Sequence, residues 1–161
     1  MSNYTGANVI TTSDVLKYQP DAFDFGISTT ATETVNFLAQ TTNDILRELR
    51  TRWFPVYKTN VYTDITVLNT VEMDNTKVNL DQFERAGVYL FLGRFYLPAL
   101  SKFRPETEKD RFERMAEYYM SEYNKEWRAI LEDGVEYDAT ADGTIQVNER
   151  EPLHGFRRLT R

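Results

Sequence analysis

Residues 138–149, DATADGTIQVNE, place oxygen donors where a calcium-binding loop places them. Counting from Asp138, the acids or oxygen donors Asp138, Thr140 and Asp142 take the first, third and fifth positions. Gly143 takes the sixth, Ile145 the eighth and Glu149 the twelfth. Such a loop holds a hard cation by carboxylate and carbonyl oxygens, and its glycine permits the sharp bend. The same letters also read as a hairpin. Val135 and Tyr137 would face Ile145 and Val147, with Glu136, Asp138, Gln146 and Asn148 outward and Asp142-Gly143 supplying the turn. A calcium hand needs one helix running into the loop and another leaving it. Gly134 ends the incoming helix too early, and Pro152 and Gly155 interrupt any helix that follows. The expected structure is therefore a hairpin over 135–148, with Asp138, Thr140, Asp142 and Glu149 as the alternative set of cation ligands.

Other chemistry has less to build on. Glu106, Glu108, Asp110, Glu113 and Glu117 cluster near the start of the last helix, but acid–base work needs carboxylates with altered surroundings in a cleft. The pattern predicts a solvated face. There is no cysteine, which removes thiolate nucleophiles, thiolate metal sites and disulfides. The single histidine, His154, lies in the C-terminal tail and reads as a contact residue. No phosphate-binding glycine loop, nucleophile elbow or zinc-protease motif occurs. Neither an enzyme nor a cofactor is expected.

The formal charge of −6 argues against a general nucleic-acid binder. Its distribution is uneven. Residues 150–161 carry Arg150, Arg157, Arg158 and Arg161 against Glu151, a charge of +3, which leaves −9 on residues 1–149. Leu153, Phe156 and Leu159 interleave with Arg157, Arg158 and Arg161, a mixture suited to anchoring in an acidic or aromatic groove on another protein. The chain has 10 Tyr and 10 Phe, rich for so acidic a protein and suited to interfaces as well as cores. No apolar run approaches the roughly 20 residues that span a bilayer, and the polar start MSNYTGANVITTSD lacks the pattern of a secretory signal. A soluble, non-exported protein without membrane contact is expected.

The elements that must position these residues are mostly helical. A length of 161 residues fits one domain. Residues 1–12 read as an N-terminal arm that orders only against something else. Ser13 is the expected cap of a short helix around DVLKY, ending before Pro20. Thr30 and Glu33 have capping-box spacing ahead of a helix whose apolar stripe is Val35, Leu38, Ile45, Leu49 and Trp53, stopped by Pro55. Residues 56–78 change character, and the alternation from Val61 to Leu68 predicts a strand or extended segment. Asn79 and Gln82 open a helix to about Leu97 that is apolar almost all round, so it is central or half covered by another subunit, and Pro98 breaks or kinks it. The last helix buries Phe112, Met115, Ala116, Tyr119, Tyr123, Trp127, Ile130 and Leu131 and ends at Gly134. Tyr89, Tyr96 and Tyr118 lie off the main stripes, placed to meet a neighbour. The expected fold is mainly α. It is a small bundle of three to four helices over residues 13–149, with a β-hairpin, one additional strand or extended loop and extended termini, ending in a basic C-terminal arm at 150–161.

The aromatic helix FERAGVYLFLGRFYLPAL, the charged helix DRFERMAEYYMSEYNKEW, the DGVEYDATADGTIQV hairpin and the basic arm occur in an order that resembles the small head-to-tail connector (adaptor, neck) proteins of tailed bacteriophages. The resemblance covers residues 10–161 in outline and rests on layout, without a diagnostic motif. It implies a structural virion subunit, assembled in the host cytoplasm, that forms a homo-oligomeric ring, commonly of twelve copies. Such a ring docks beneath the portal protein, offers a platform to tail or neck proteins and extends the channel through which DNA passes without specific binding. The arm at 150–161 is where this sequence would engage the portal.

Overall fold

The computed structural model describes residues 7–101, 110–146 and 149–151. The fold is mainly α, as expected. Three helical rods form the body. The first is α2 (Thr32–Glu48), which passes through a π turn (Leu49–Trp53) into α3 (Phe54–Val61). The second begins with a 3₁₀ turn (Leu80–Phe83), continues as α5 (Glu84–Leu90) and a π turn (Phe91–Tyr96), and ends as α6 (Leu97–Leu100). The third is α7 (Arg111–Asp133). A short α1 (Thr12–Tyr18) packs on α5, and α4 (Ile65–Thr70) follows α3 as a small outlying turn of helix.

The middle rod is the centre of the core, touching α1, α2 and α7. Phe83, Ala86, Val88, Leu90, Phe91, Leu92, Tyr96 and Leu97 are all essentially inaccessible, which is why that segment is apolar almost all round. Two glycines let neighbours close in. A Cβ on Gly87 would stand 2.9 Å from Ile10 Cγ2, and one on Gly93 would stand 2.9 Å from the backbone N of Met120 on α7. Asp44 on α2 ties the same region together by pairing with Arg94 in the π turn at 3.2 Å.

Neither helical proline interrupts its rod, contrary to expectation. Proline lacks an N–H and crowds the carbonyl four residues back, so an ordinary turn would lose a bond there. In both rods the turn before the proline is widened instead: the Phe54 amide donates to Leu49 O ahead of Pro55, and the Leu97 amide to Leu92 O ahead of Pro98. The wider π turn absorbs the misfit and the helix runs on.

Several local expectations change. The N-terminal arm docks over part of its length: Val9 and Ile10 are buried, and the Val9 amide donates to Thr42 Oγ1 at 2.9 Å. Thr11, rather than Ser13, caps α1 in a reciprocal capping box with Asp14. The helix expected from Thr30 starts at Thr32 behind Ala31, with no side-chain cap. On α2, Val35 faces solvent, while Thr34, Thr41 and Thr42 are buried. The Thr41 and Thr42 hydroxyls return to the carbonyls of Phe37 and Leu38 at 2.8 and 3.2 Å, so these side chains enter the core with their polarity spent on their own helix.

The strand expected at 61–68 is absent: Val61 ends α3 and Ile65–Thr70 is α4, capped by the Asp64 carboxylate on the Thr66 amide. A turn at Asp64 and the proximity of α3 override the β propensity of Val, Ile and Thr. The hairpin forms in a different register from the one expected. β1 (Val135–Glu136) is antiparallel to β2 (Arg150–Glu151), pairing Val135 with Glu151 and Glu136 with Arg150. The loop between them is therefore long, and Arg150 and Glu151 belong to the folded body rather than to a free arm.

Replacing Gly93 with Ala tests the close approach of the middle rod to α7. Alanine gains about 1 kcal/mol of helix propensity over glycine. The new methyl meets backbone that cannot rotate away, an overpacking cost of about 1–3 kcal/mol. A net loss of stability is expected in urea unfolding, with a lower midpoint and an unchanged slope.

Candidate functional site

The segment after α7 is held on both sides. Gly134, with φ of +102°, turns the chain out of the helix into β1. Gln82 clamps that turn, donating its Nε2 to Gly134 O at 2.8 Å and accepting the Glu136 amide on Oε1 at 3.0 Å. Asn79 donates its backbone N–H to Glu136 O at 3.1 Å and its side-chain amide to the Glu136 carboxylate, which also pairs with Arg150. The Asp138 amide reaches Lys77 O at 2.8 Å and the Tyr137 amide reaches Glu149 O at 3.2 Å. β1 thus lies between 77–79 and 149–151. Both of its faces are covered, and Glu136 and Asp138, expected outward, are buried beside Val135 and Tyr137.

The calcium-spaced loop is built around its own carboxylates. Asp138 is fully buried and accepts the Asp142 amide on Oδ1 at 3.2 Å and the Gly143 amide on Oδ2 at 2.8 Å. Glu149, also buried, accepts the Thr140 amide at 3.0 Å on Oε1 and the Gln146 amide at 2.9 Å on Oε2. Thr140 Oγ1 bridges the two, 3.4 Å from Asp138 Oδ1 and 3.2 Å from Glu149 Oε1. Asp142 lies outside this knot and is exposed. The hydroxyl and amide of Thr144 hold its carboxyl below the usual carboxylate range. Gly143 adopts φ of +80°, and Ala141 φ of +58°, a left-handed conformation uncommon for a residue with a side chain. Sequence spacing therefore brings Asp138, Thr140 and Glu149 together and leaves Asp142 apart. Among the described residues no group of three or more acidic or histidine side chains is placed to hold a metal ion.

The acidic start of the last helix has a structural role where it is described. Asp110 caps α7 through the Glu113 amide at 2.8 Å and accepts the Ser101 hydroxyl at 3.0 Å. Glu113 lies within reach of the same hydroxyl, and Glu117 is exposed. Glu106, Glu108, His154 and the expected partner-binding residues Leu153, Phe156, Arg157, Arg158, Leu159 and Arg161 lie outside the described residues, as does Val147.

Of the three off-stripe tyrosines, Tyr96 belongs to the core, its hydroxyl donating to Ile27 O at 2.8 Å, whereas Tyr118 is 60% exposed. Tyr18, Tyr89, Tyr119 and Tyr118 form a chain of ring contacts at 5.9, 6.0 and 5.3 Å across α1, α5 and α7, with Arg85 over Tyr89. A second exposed apolar region was hidden by the expected strand. Val56 and Val61 on α3 and Ile65 on α4 face solvent, Ile65 at 70%, and no residue of α4 is buried. An open hollow of about 460 Å³ lies between α3 and the segment after α4, with Arg50, Lys58 and Glu72 lining it together with Phe54, Pro55, Val71 and Met73.

Two buried polar atoms also escaped the sequence pattern, because Tyr123 and Trp127 sit on an otherwise ordinary helical stripe. The Tyr123 hydroxyl and the Trp127 indole N–H have no hydrogen-bond partner among the described residues. Burial pushes the Tyr123 phenol well above its ordinary value, and the nearby Glu48 carboxylate adds to the effect. Burial likewise raises the Tyr137 phenol, although its hydroxyl accepts the Asp74 amide at 3.1 Å.

No helix among the described residues is long and apolar enough to cross a membrane. Comparison of the chain with protein-family models, curated proteins and solved structures gives no match.

Asp138→Asn keeps the side-chain shape but loses the buried charge and one acceptor for a loop amide. A loss of about 2 kcal/mol is expected in urea unfolding, since hydrogen bonds to a charged group contribute roughly 1.5–3 kcal/mol. Tyr123→Phe removes a buried hydroxyl that lacks a partner, so it is expected to stay within about 1 kcal/mol of the parent at neutral pH. The alkaline behaviour follows from the raised phenol. The neutral form is favoured by folding, so its contribution is complete below the unfolded value of about 10 and is lost as pH rises through the folded one. Tyr123→Phe should therefore lose less stability than the parent above about pH 10, as read by urea midpoints across pH.

Proposed function

We propose that this chain is a non-enzymatic structural subunit that assembles with copies of itself into a ring of the phage head-to-tail connector kind. In this reading the ring has about twelve copies, as the connector resemblance implies. It joins the portal to tail or neck proteins within the virion and continues the DNA channel. The observation that carries the reading is α4 with the end of α3. Six residues are far fewer than the roughly 12–15 at which an isolated helix becomes even marginally stable, and no residue of α4 is fully buried. An element that exposes Val56, Val61 and Ile65 together has the composition of a contact surface. The exposed tyrosine at 118, at the end of a ladder of rings, supplies a second aromatic contact of the kind enriched in interfaces. The acidic body suits a channel wall, because like charge keeps passing DNA from adhering.

A second reading, a calcium-binding protein using the 138–149 loop, is favoured by the convergence of Asp138, Thr140 and Glu149 and by the positive φ of Gly143 at the sixth position.

Native mass spectrometry with calcium and with chelator separates the two. The ring reading expects a closed high-order oligomer without metal, alone or on addition of a portal ring. Stoichiometric calcium on a chain that stays monomeric with the portal overturns it in favour of the ion-binding reading. Deletion of residues 152–161, which spares the β1–β2 pairing, is expected to leave the unfolding midpoint unchanged and abolish portal docking. Unimpaired docking would remove the tail's assigned role.

A further inference from the structure

The chain contains two Asp-Gly steps, at 133–134 and 142–143. Such a step is where a backbone amide most readily meets the preceding side-chain carboxyl, because glycine carries no side chain to hinder the approach. The two steps are held differently. At the first, the Gly134 amide closes α7 on Ile130 O at 3.0 Å and the glycine is buried. At the second, both residues are exposed, and nothing lies within 4 Å of where a Cβ on Gly143 would stand. One anchor holds it: the Gly143 amide donates to Oδ2 of buried Asp138 at 2.8 Å, and the Asp142 amide to Oδ1 at 3.2 Å.

The chemistry open to this step is balanced by water alone. The Gly143 nitrogen gives up its proton and bonds to Cγ of Asp142, the carboxyl loses a hydroxyl, and proton and hydroxyl leave as water from a succinimide ring. Water then opens the ring. Attack at Cγ restores aspartate, whereas attack at the main-chain carbonyl carbon of Asp142 leaves the backbone running through Cβ and Cγ as isoaspartate. Ring closure requires the nitrogen to lose its proton, and that proton is the one held by Asp138. To free it a charge-assisted hydrogen bond must break, and negative charge developing on the nitrogen would face a buried carboxylate.

We propose that Asp142–Gly143 is a latent site of spontaneous isoaspartate formation and that Asp138 keeps it shut by holding the Gly143 amide. Asp138 is a positioning residue here: it reacts with nothing, and it denies the nitrogen to the neighbouring carboxyl. Rearrangement moves the carboxylate of residue 142 onto Cα. The Thr144 amide and hydroxyl, which meet the Asp142 side chain at 2.8 and 2.7 Å, then lose their acceptor at its present place, and the turn loses that fastening. Each opening of the loop that lasts long enough for ring closure is thereby recorded in the backbone. The inference does not depend on how copies of the chain assemble.

Asp142→Asn makes the same ring closure readable, because ammonia leaves instead of water and mass spectrometry follows amide becoming acid. The full chain with that substitution is kept at neutral pH in chelator, so that no cation competes for Asp138. Folded, it is expected to convert roughly 10- to 100-fold more slowly than the same chain unfolded in urea, the factor that a hydrogen bond to a charged group contributes. Adding Asp138→Asn is expected to remove most of that protection. Adding Gly93→Ala, which weakens the bundle and touches no residue of the loop, is expected to leave it intact. Equal rates folded and unfolded overturn the proposal, as does acceleration by Gly93→Ala that matches acceleration by Asp138→Asn. The parent chain gives a reading that needs no substitution. Its exposed Gly143 amide is expected to exchange with deuterium at least about 10-fold more slowly than in the unfolded chain. Exchange at the unfolded rate overturns the proposal whatever the variants show.

Discussion

The near contact of the middle rod with the backbone of α7 at Gly93 sets the spacing on which the other packing depends. With no side chain at that position, the two rods approach until Met120 closes on the bare helix surface. This brings Phe83 to within 5.7 Å of Trp127, centroid to centroid, and leaves Tyr123 and Trp127 buried, with Tyr123 near Glu48 of the first rod. The same closeness explains why an acidic, strongly solvated chain can bury so many aromatic rings: the middle rod turns most of its surface inward and keeps only a narrow charged edge with Arg85 and Arg94, while the outer rods carry most of the charge. Gly87 does the corresponding service for the N-terminal segment, whose Val9 and Ile10 close the opposite side.

Around that spine the chain uses polar groups mainly to end and redirect elements. Thr11 with Asp14, Asp64, Asp74, Asn79 and Asp110 each receive a backbone amide where a helix or turn begins. Asp138 and Glu149 do the same for an entire loop, with four amides ending on two buried carboxylates. Spacing that in another setting would gather ligands for a cation here gathers acceptors for the backbone, and the two uses share one requirement: oxygens converging on the inside of a tight bend.

Helix content, the buried stripe of α7 and the central place of the aromatic helix were legible in the residues, because each rests on a long periodic pattern. Shorter features were harder to read. Threonines at 34, 41 and 42 look polar in a sequence, yet all three are buried, with the Thr41 and Thr42 hydroxyls absorbed by their own helix and the Thr34 hydroxyl by Ser28 O just ahead of it. Val35 looks apolar and is exposed. The alternation from 61 to 68 spans too few residues to separate a strand from two helix ends around a turn, and Asp64 supplied the turn. The strand register after Gly134 depended on Gln82 and Asn79, more than 50 residues earlier, and no local pattern carries that information. Of the candidate surface, the tyrosine at 118 was legible from its position off the stripe. The hollow was not, because it forms between segments that the expected strand would have placed elsewhere.

The two widened turns place each rod out of phase with an ideal helix by one residue. An α-helix advances about 100° per residue, so everything after residue 53 in the first rod and after residue 96 in the second faces the direction it does because of that extra residue. Chain length and facing direction are therefore coupled at only a few positions in each rod. A one-residue deletion within 49–53 would turn α3 by about 100° and carry the buried Phe54 and Tyr57 rings away from Trp53 and Tyr137. The widened turn is thus the phase correction that lets α2 and α3 present their buried residues to one core across Pro55.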